Sequence, residues 1–230
     1  MDNSTLNVPS DLCGDILEQL KEEAIRTNAS VSSLLSIPPS TAITCVKPSG
    51  TVSQLVGSAS GIHPRYSSAY IRRVRADGKD PLALWMKEKG VPCEVDFYNK
   101  SSLVFSFPIL SPEDAVTRHG VSAIQQLEMV RHYNENWCEH KASVTVYVKE
   151  DEWLDVGAWV YRNFDSTSGV SFLPTDNGTY SQAPYEAITR EKHAELTRDM
   201  PRVDFSEYVE SVDNTTGSQE LACVAGVCEL

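Results

Sequence analysis

Apolar positions along the chain recur at two spacings, one typical of helices and one typical of strands. The apolar residues that share one helical face near the N-terminus are Leu12, Ile16, Leu20 and Ala24. Their spacing predicts a helix from about Ser10 to about Asn28. Residues 28–40 then predict a linker, because the pair Pro38-Pro39 disfavours a helix.

The clearest strand pattern lies in residues 141–149, where three valines alternate with polar or aromatic residues. Residues 151–164 return to helical spacing, and residues 169–174 predict a second short strand that a proline ends. Strand, helix and strand in this order predict a βαβ unit, so the predicted fold class is α/β.

Cap residues mark other predicted helices. Asp80 followed by Pro81 predicts a helix start, and Gly90 predicts the end of that helix. Further predicted elements are helices over residues 121–138 and 189–198, a short helical turn between Ser111 and Gly120, and strands over residues 42–46 and 103–107.

A small polar turn joins the strand predicted over residues 42–46 to a helix start. Its residues are Pro48, Ser49, Gly50, Thr51, Val52 and Ser53. The glycine allows a ligand to approach closely, and the N–H groups of a helix that begins at Val52 would face the turn. The pattern predicts a phosphate-binding loop, and the alternative is an ordinary strand-to-helix turn with a Ser or Thr cap. It is not a Walker A loop.

Basic residues follow this turn closely in sequence. Arg65, Arg72 and three neighbouring basic residues form a basic island in an acidic protein, and arginine binds phosphate through a planar fork. A solvated charged surface is the alternative interpretation. His63 is open to two interpretations as well, as a supporting site residue or as a structural hydrogen-bonding group.

Composition narrows the class of protein. The chain has 230 residues, 41% of them hydrophobic, and a net charge of -12. The acidic balance disfavours direct nucleic-acid binding, and no apolar run approaches the ~20 residues of a membrane span. The sequence therefore predicts a globular cytoplasmic protein without a membrane partner.

Six cysteines are present, and two of them form a close pair near the C-terminus. Cys223 and Cys228 lie in residues 203–230, a segment with six acidic and no basic residues. We expect a flexible tail whose dithiol acts as a redox arm. The alternatives are a disulfide that staples the tail or a metal site, but further Cys or His ligands are missing nearby, so no metal is predicted.

Seven segments taken in order resemble the C-terminal part of an adenosylcobalamin-dependent, or class II, ribonucleotide reductase. They are Val46–Ser53, Ser60–Arg65, Tyr70–Arg72, Trp137–Lys141, Ser143–Val146, Gly169–Pro174 and the pair Cys223 and Cys228. Each segment is short, but their order and spacing across residues 36–230 are specific.

The resemblance implies the C-terminal portion of the family's ten-stranded α/β barrel with a flexible redox tail. It implies a partial barrel over residues 36–202 and the tail over 203–230. Residues 1–35 precede the segments that carry the resemblance, and their helical spacing predicts an N-terminal helical extension. The loop from Pro48 to Ser53 would hold the substrate's phosphates, and Cys223 and Cys228 would carry electrons to an active-site disulfide. Adenosylcobalamin, a ribonucleotide and thioredoxin or a similar dithiol protein are the implied cofactor, substrate and reductant.

One family motif is missing from these residues, namely the Asn-Pro-Cys-x-Glu finger loop that carries the radical cysteine. We therefore expect a separate chain to supply it, as after the splitting of a gene. Two alternatives remain. One is a non-catalytic nucleotide- or phosphate-binding relic of the barrel, and the other is a stand-alone thiol–disulfide protein that uses the tail. The sequence leaves open whether the substrate is a diphosphate or a triphosphate.

Overall fold

The structure is a computed structural model, and it contains both helices and strands. It describes residues 10–50, 52–175, 180–210, 223–224 and 227–228. The mixed α/β class predicted from the sequence is confirmed. The ten-stranded barrel and the flexible tail stay predictions, and residues 211–222 of the predicted tail lie outside the described residues.

The elements are numbered in chain order. The helices are α1 (Ser10–Leu35), α2 (Val52–Leu55), α3 (Pro81–Glu88), α4 (Ala123–Asn136), α5 (Trp153–Arg162) and α6 (Arg190–Asp199). The strands are β1 (Ala69–Asp77), β2 (Cys93–Val95), β3 (Ser102–Leu110), β4 (Thr145–Val148), β5 (Ser171–Pro174), β6 (Tyr185–Ala187), β7 (Cys223–Val224) and β8 (Val227–Cys228). Short 3₁₀ helices cover Glu150–Glu152, Phe164–Ser166 and Phe205–Glu207. None of the helices described has the length and apolar character of a membrane span.

The chain divides into two compact units, each built from two separate stretches of sequence. The first unit combines Met1–Arg65 with Pro112–Asn177, and the second combines Tyr66–Ser111 with Gly178–Leu230. Each unit therefore brings together residues that lie far apart in the sequence. The division predicted from the sequence, at residues 35 and 202, stays a prediction.

The first unit is organised around the predicted βαβ pattern, which is confirmed. β4 and β5 pair in parallel, with Thr145 opposite Ser171 and Val148 opposite Pro174, and α5 connects them. The buried side chains of this unit include Leu127, Val130, Val144, Val146, Val148 and Trp159. The alternating valines thus face the core, as their spacing predicts.

Helix α1 is longer than predicted, because Thr27 and Asn28 do not end it. It ends at Leu35, where Ser36 adopts a left-handed conformation with φ of 55°. The N–H of Ile37 donates to the carbonyl of Ser32 at 3.0 Å, and the N–H of Ser36 donates to Ser33 at 3.2 Å. These two bonds form a Schellman cap, a local geometry that the sequence pattern did not reveal.

The strand predicted over residues 42–46 is wrong, because this segment forms no regular strand. A side chain takes the place of a neighbouring strand. One carboxylate oxygen of Glu139 accepts from the N–H groups of Ile43 and Thr44 at 2.8 and 3.0 Å and from the Thr44 hydroxyl at 3.0 Å. The Trp137 indole N–H donates to the carbonyl of Cys45 at 3.1 Å. The backbone is satisfied without a ladder.

The helical turn predicted between Ser111 and Gly120 is also wrong. The segment instead forms turns on either side of a β-bridge between Arg65 and Thr117. The N–H of Arg65 donates to the carbonyl of Val116, and the N–H of Arg118 donates to the carbonyl of Arg65, each at 2.8 Å. This pairing with a distant segment is incompatible with a helix here.

The second unit is a four-stranded antiparallel sheet in the order β2-β3-β1-β6. The sequence pattern missed β1, β2 and β6. Strands β2 and β6 have only three residues each, and β1 contains the basic island. Two of its arginines are paired within the unit: Arg73 contacts the carboxylate of Glu186, and Arg75 donates to Asp96 at 2.6 Å. For these two residues, internal ion pairing replaces the predicted solvated surface or phosphate site.

Replacement of Leu127 by alanine tests the core of the first unit. Leu127 is fully buried on α4, so Leu127→Ala is expected to lower the free energy of unfolding by about 2–5 kcal/mol. Leu154→Ala, on the exposed side of α5, is a matched control and should change it by less than about 0.5 kcal/mol. Urea unfolding followed by circular dichroism measures both, and equal effects would contradict the described core.

Replacement of Glu139 by glutamine tests the anchor of residues 43–46. The N–H of Ile43, the N–H of Thr44 and the Thr44 hydroxyl lower the pKa of Glu139. A lowered pKa stabilises the fold above the ordinary pKa of a glutamate, and that stabilisation is lost as the pH falls through the folded-state pKa. The wild type should therefore be more stable than Glu139→Gln at neutral pH, with the difference shrinking in acid.

Glu135→Gln, which removes a carboxylate at an exposed position on α4, is the matched control for this experiment. Urea midpoints measured from neutral to acidic pH provide the comparison. A stability difference between wild type and Glu139→Gln that is independent of pH would contradict an ionised anchor.

Candidate functional site

The predicted phosphate loop is held in shape by its own hydroxyl groups. The N–H of Ser49 donates to Oγ of Ser60 at 2.8 Å, and the N–H of Ser53 donates to Oγ of Ser49 at 3.0 Å. The hydroxyl of Ser53 donates back to the carbonyl of Ser49. Thr51 lies outside the described residues. Ser49 thus acts as a local cap, the alternative that the sequence left open.

Capping does not use up the hydrogen-bonding capacity of these side chains. A serine hydroxyl has one hydrogen to donate and two lone pairs to accept with. The bonds given above use the oxygens of Ser49 and Ser60 as acceptors, so the hydroxyl hydrogens can still donate to an anion. Gly50 is exposed, and apart from its chain neighbours no described residue has an atom within 4 Å of the place where its Cβ would be. A ligand can therefore approach the backbone there.

A second turn, residues 57–61, lies beside the loop and contains two glycines with positive φ. Gly57 has φ of 66° and Gly61 has φ of 53°. A Cβ at Gly61 would lie 3.1 Å from the carbonyl oxygen of Lys47, just before the loop. Glycine at position 61 therefore allows the two turns to lie against each other.

His63 joins this second turn to β4. Its Nδ1 lies 2.8 Å from the carbonyl oxygen of Ser60, and its Nε2 lies 2.9 Å from the backbone nitrogen of Thr145. These partners assign the neutral tautomer, with Nδ1–H donating to Ser60 and Nε2 accepting from Thr145. Burial lowers the pKa of His63, which favours the same neutral form. Both ring nitrogens are therefore bonded to backbone groups.

Arg65 is a buried residue below the second turn, with 5% of its surface exposed. Its guanidinium donates to the carbonyl of Gly57, and its backbone forms the bridge to Thr117. Arg65 thus places a positive charge close to the loop and also supports Gly57.

A groove of about 800 Å³ runs along the loop and the second turn. The residues that line it are Ser49, Val52, Ser53, Val56, Gly57, Ser58, Ala59, Gly61, Arg65, Pro112, Glu113, Asp114 and Ala115. They supply hydroxyls and one cation, with two carboxylates on the opposite segment. No cysteine or histidine is among them, so this groove can bind a ligand but has no redox group of its own.

Three predicted site residues lie in the second unit. Arg72 lies on β1, where its backbone is opposite Phe107 and Tyr185. In the tail, β7 and β8 pair as antiparallel strands, and the register places Cys223 opposite Cys228. Opposed positions of antiparallel strands bring Cα atoms to about 4.5–5.5 Å, within the range of a disulfide.

Two residues that support the loop were not predicted to do so from the sequence. Ser60 accepts from the loop at Ser49, and Glu139 anchors the segment that leads to it. Both lie in segments that carry the family resemblance, but no spacing rule connects position 60 with 49 or position 139 with 43. Within the described ranges, the His, Cys, Asp and Glu side chains form no group of three or more that could bind a metal ion.

No protein-family model matches the chain, but individual relatives do. An adenosylcobalamin-dependent ribonucleoside-triphosphate reductase of Lactobacillus acidophilus is 26% identical over 227 residues, which cover 94% of this chain and 30% of that protein. A protein of Dictyostelium discoideum named as a probable enzyme of the same kind is 33% identical over 182 residues, covering 76% of this chain and 24% of that protein.

A solved structure of a ribonucleotide reductase is similar to this chain as well. The crystal structure of a B12-dependent (class II) ribonucleotide reductase matches with a TM-score of 0.70 and 25% identity, covering 84% of this chain and 28% of that one. The chain thus spans less than a third of the length of these proteins. This chain is homologous to a portion of the adenosylcobalamin-dependent ribonucleotide reductases, which confirms the resemblance in its sequence.

Proposed function

We propose that this chain supplies the substrate-phosphate portion of a cobalamin-dependent ribonucleotide reductase, which converts ribonucleotides to deoxyribonucleotides by thiyl-radical chemistry. The observation that carries the proposal is the loop at residues 48–53. It lies in the region homologous to the reductases, it is fixed by the bonds among Ser49, Ser53 and Ser60, and it is open to solvent at Gly50.

The groove has the chemistry to bind the phosphates of a nucleotide. Ser49 and Arg65 line the groove, so the Ser49 hydroxyl can donate to a phosphate oxygen and the Arg65 guanidinium provides positive charge nearby. Next to Ser49, the exposed Gly50 leaves room for a ligand to approach the loop. A hydrogen bond to a charged group contributes about 1.5–3 kcal/mol. Two or three such bonds anchor the phosphates and leave the ribose free to face the reacting groups.

The radical chemistry comes from outside this groove. The 230 residues contain no finger-loop motif, so we assign the radical cysteine to a part of the enzyme outside them. A groove of about 800 Å³ is in the size range of sites for drug-sized ligands, such as a nucleotide. The adenosylcobalamin pocket would lie only partly on this chain, and the bound cofactor would supply the radical chemistry.

The tail cysteines would restore the enzyme after each turnover. Opposed backbone positions for Cys223 and Cys228 support reversible formation of a disulfide between them. The tail dithiol would reduce the active-site disulfide by exchange, losing two electrons and two protons and becoming a disulfide itself. Thioredoxin or a similar dithiol protein would then reduce the tail.

Removal of the Ser49 hydroxyl tests the phosphate loop. Ser49→Ala loses one donor to phosphate and the cap at Ser53, so affinity for CTP should fall by about tenfold, the equivalent of about 1.4 kcal/mol. Ser33→Ala, at an exposed position on α1, is the matched control and should bind like the wild type. Calorimetry with CTP and with tripolyphosphate measures this, and equal affinity of all three proteins would contradict the assignment.

Complementation tests the reductase function. The chain is mixed with a second chain that carries the finger loop, and dCTP formation is followed with adenosylcobalamin and thioredoxin. We expect turnover only when both chains are present. Nucleotide binding without turnover, while a full-length relative is active in the same assay, would contradict the proposal and favour the non-catalytic relic.

The same assay tests the tail. Cys223→Ser should stop multiple turnover with thioredoxin, because the shuttle disulfide cannot form, yet retain activity with a small dithiol reductant. Cys93→Ser, on β2, is the matched control and should remain active with both reductants. Full activity of Cys223→Ser with thioredoxin would contradict the shuttle.

A further inference from the structure

We infer that His63 is a positioning residue whose neutral ring bridges β4 to Ser60 and thereby keeps the phosphate loop in its binding shape. This inference rests on the proposed function of the loop and adds a means by which acid would weaken substrate binding. His63 itself does not line the groove.

The bridge is a continuous series of hydrogen bonds from the core to the loop. It begins at the N–H of Thr145, the buried first residue of β4. It passes through the ring of His63 to the carbonyl of Ser60. The hydroxyl oxygen of Ser60 then accepts from the N–H of Ser49, and the hydroxyl oxygen of Ser49 accepts from the N–H of Ser53. The loop is thus connected to a rigid strand.

Only the neutral ring can make both of its bonds. Nε2 accepts from Thr145 through its lone pair. Protonation of Nε2 would use that lone pair and place two donors, Nε2–H and the N–H of Thr145, against each other. The bond from Nδ1–H to Ser60 survives protonation, so acid breaks the bridge at one defined point, its attachment to β4. Burial lowers the pKa of His63, consistent with a ring that stays neutral at neutral pH.

The two hydrogen-bond partners of the ring are a carbonyl and an amide, neither of which titrates. Charged residues on the neighbouring segments include Arg65, whose guanidinium donates to Gly57, and Arg118, whose guanidinium lies 5.6 Å from the centre of the Tyr147 ring. They also include Lys47, whose carbonyl oxygen lies against Gly61.

Two variants each remove one of the two hydrogen bonds made by the His63 ring. His63→Gln can still accept from Thr145 but does not reach Ser60, whereas His63→Asn can still donate to Ser60 but does not reach Thr145. Each should weaken CTP binding by about tenfold at neutral pH, because each breaks one partly buried hydrogen bond that holds the loop. His140→Gln, at an exposed position, is the control and should bind CTP like the wild type.

The pH profile separates positioning from a general loss of stability. Affinity of the wild type for CTP should fall on acidification by more than that of either His63 variant, which has no ring to protonate. Ionisation of the phosphates is common to all proteins and cancels in this comparison. Variants with wild-type affinity and a wild-type pH profile would overturn the inference while leaving the phosphate loop intact.

A measurement without ligand tests the His63 bridge separately from phosphate binding by the loop. Nitrogen NMR should show His63 as the Nδ1–H tautomer. The protection factors of the Ser49 and Ser53 amides, which correct for the intrinsic pH dependence of exchange, should fall in acid for the wild type and be low at all pH values for both variants. If the chain fails to bind CTP, the proposed function is contradicted, yet this exchange pattern still supports the bridge. Unchanged exchange in the variants would overturn it.

Discussion

The hydrogen bond from the Ser49 N–H to the Ser60 hydroxyl is the contact on which the site depends. It holds two turns together, and each turn by itself is a short segment with little buried surface. Ser49 in turn caps Ser53, so the shape of the phosphate loop follows from one bond between positions eleven residues apart. That bond fixes the loop around the exposed Gly50, where we propose that the phosphates bind.

This contact is supported by the core of the first unit. The segment before the loop is anchored by Glu139, and the second turn is connected through His63 to Thr145. Both supports come from residues 137–145, just before and at the start of the buried strand β4. Because the first unit combines two distant stretches of the chain, a rigid parallel strand pair positions a loop that has no strand of its own.

Local patterns predicted much of the fold, and contacts between distant residues explain the errors. The alternating valines of residues 144–148 and the Asp80 cap identified elements that the structure contains. The strand expected at residues 42–46 failed because Glu139, 95 residues away from Thr44, takes the place of a neighbouring strand. The tautomer of His63 was equally out of reach, because it depends on a backbone group 82 residues away. A single sequence contains no signal for such pairings.

The central claim is that the loop at residues 48–53 holds the phosphates of a ribonucleotide. Mapping of backbone amide chemical shifts during titration with CTP tests it most directly. We expect the largest shifts at Ser49, Gly50, Ser53 and Ser60, and we expect tripolyphosphate to reproduce them while cytidine does not. Shifts confined to other parts of the chain, or equal shifts with cytidine, would contradict it.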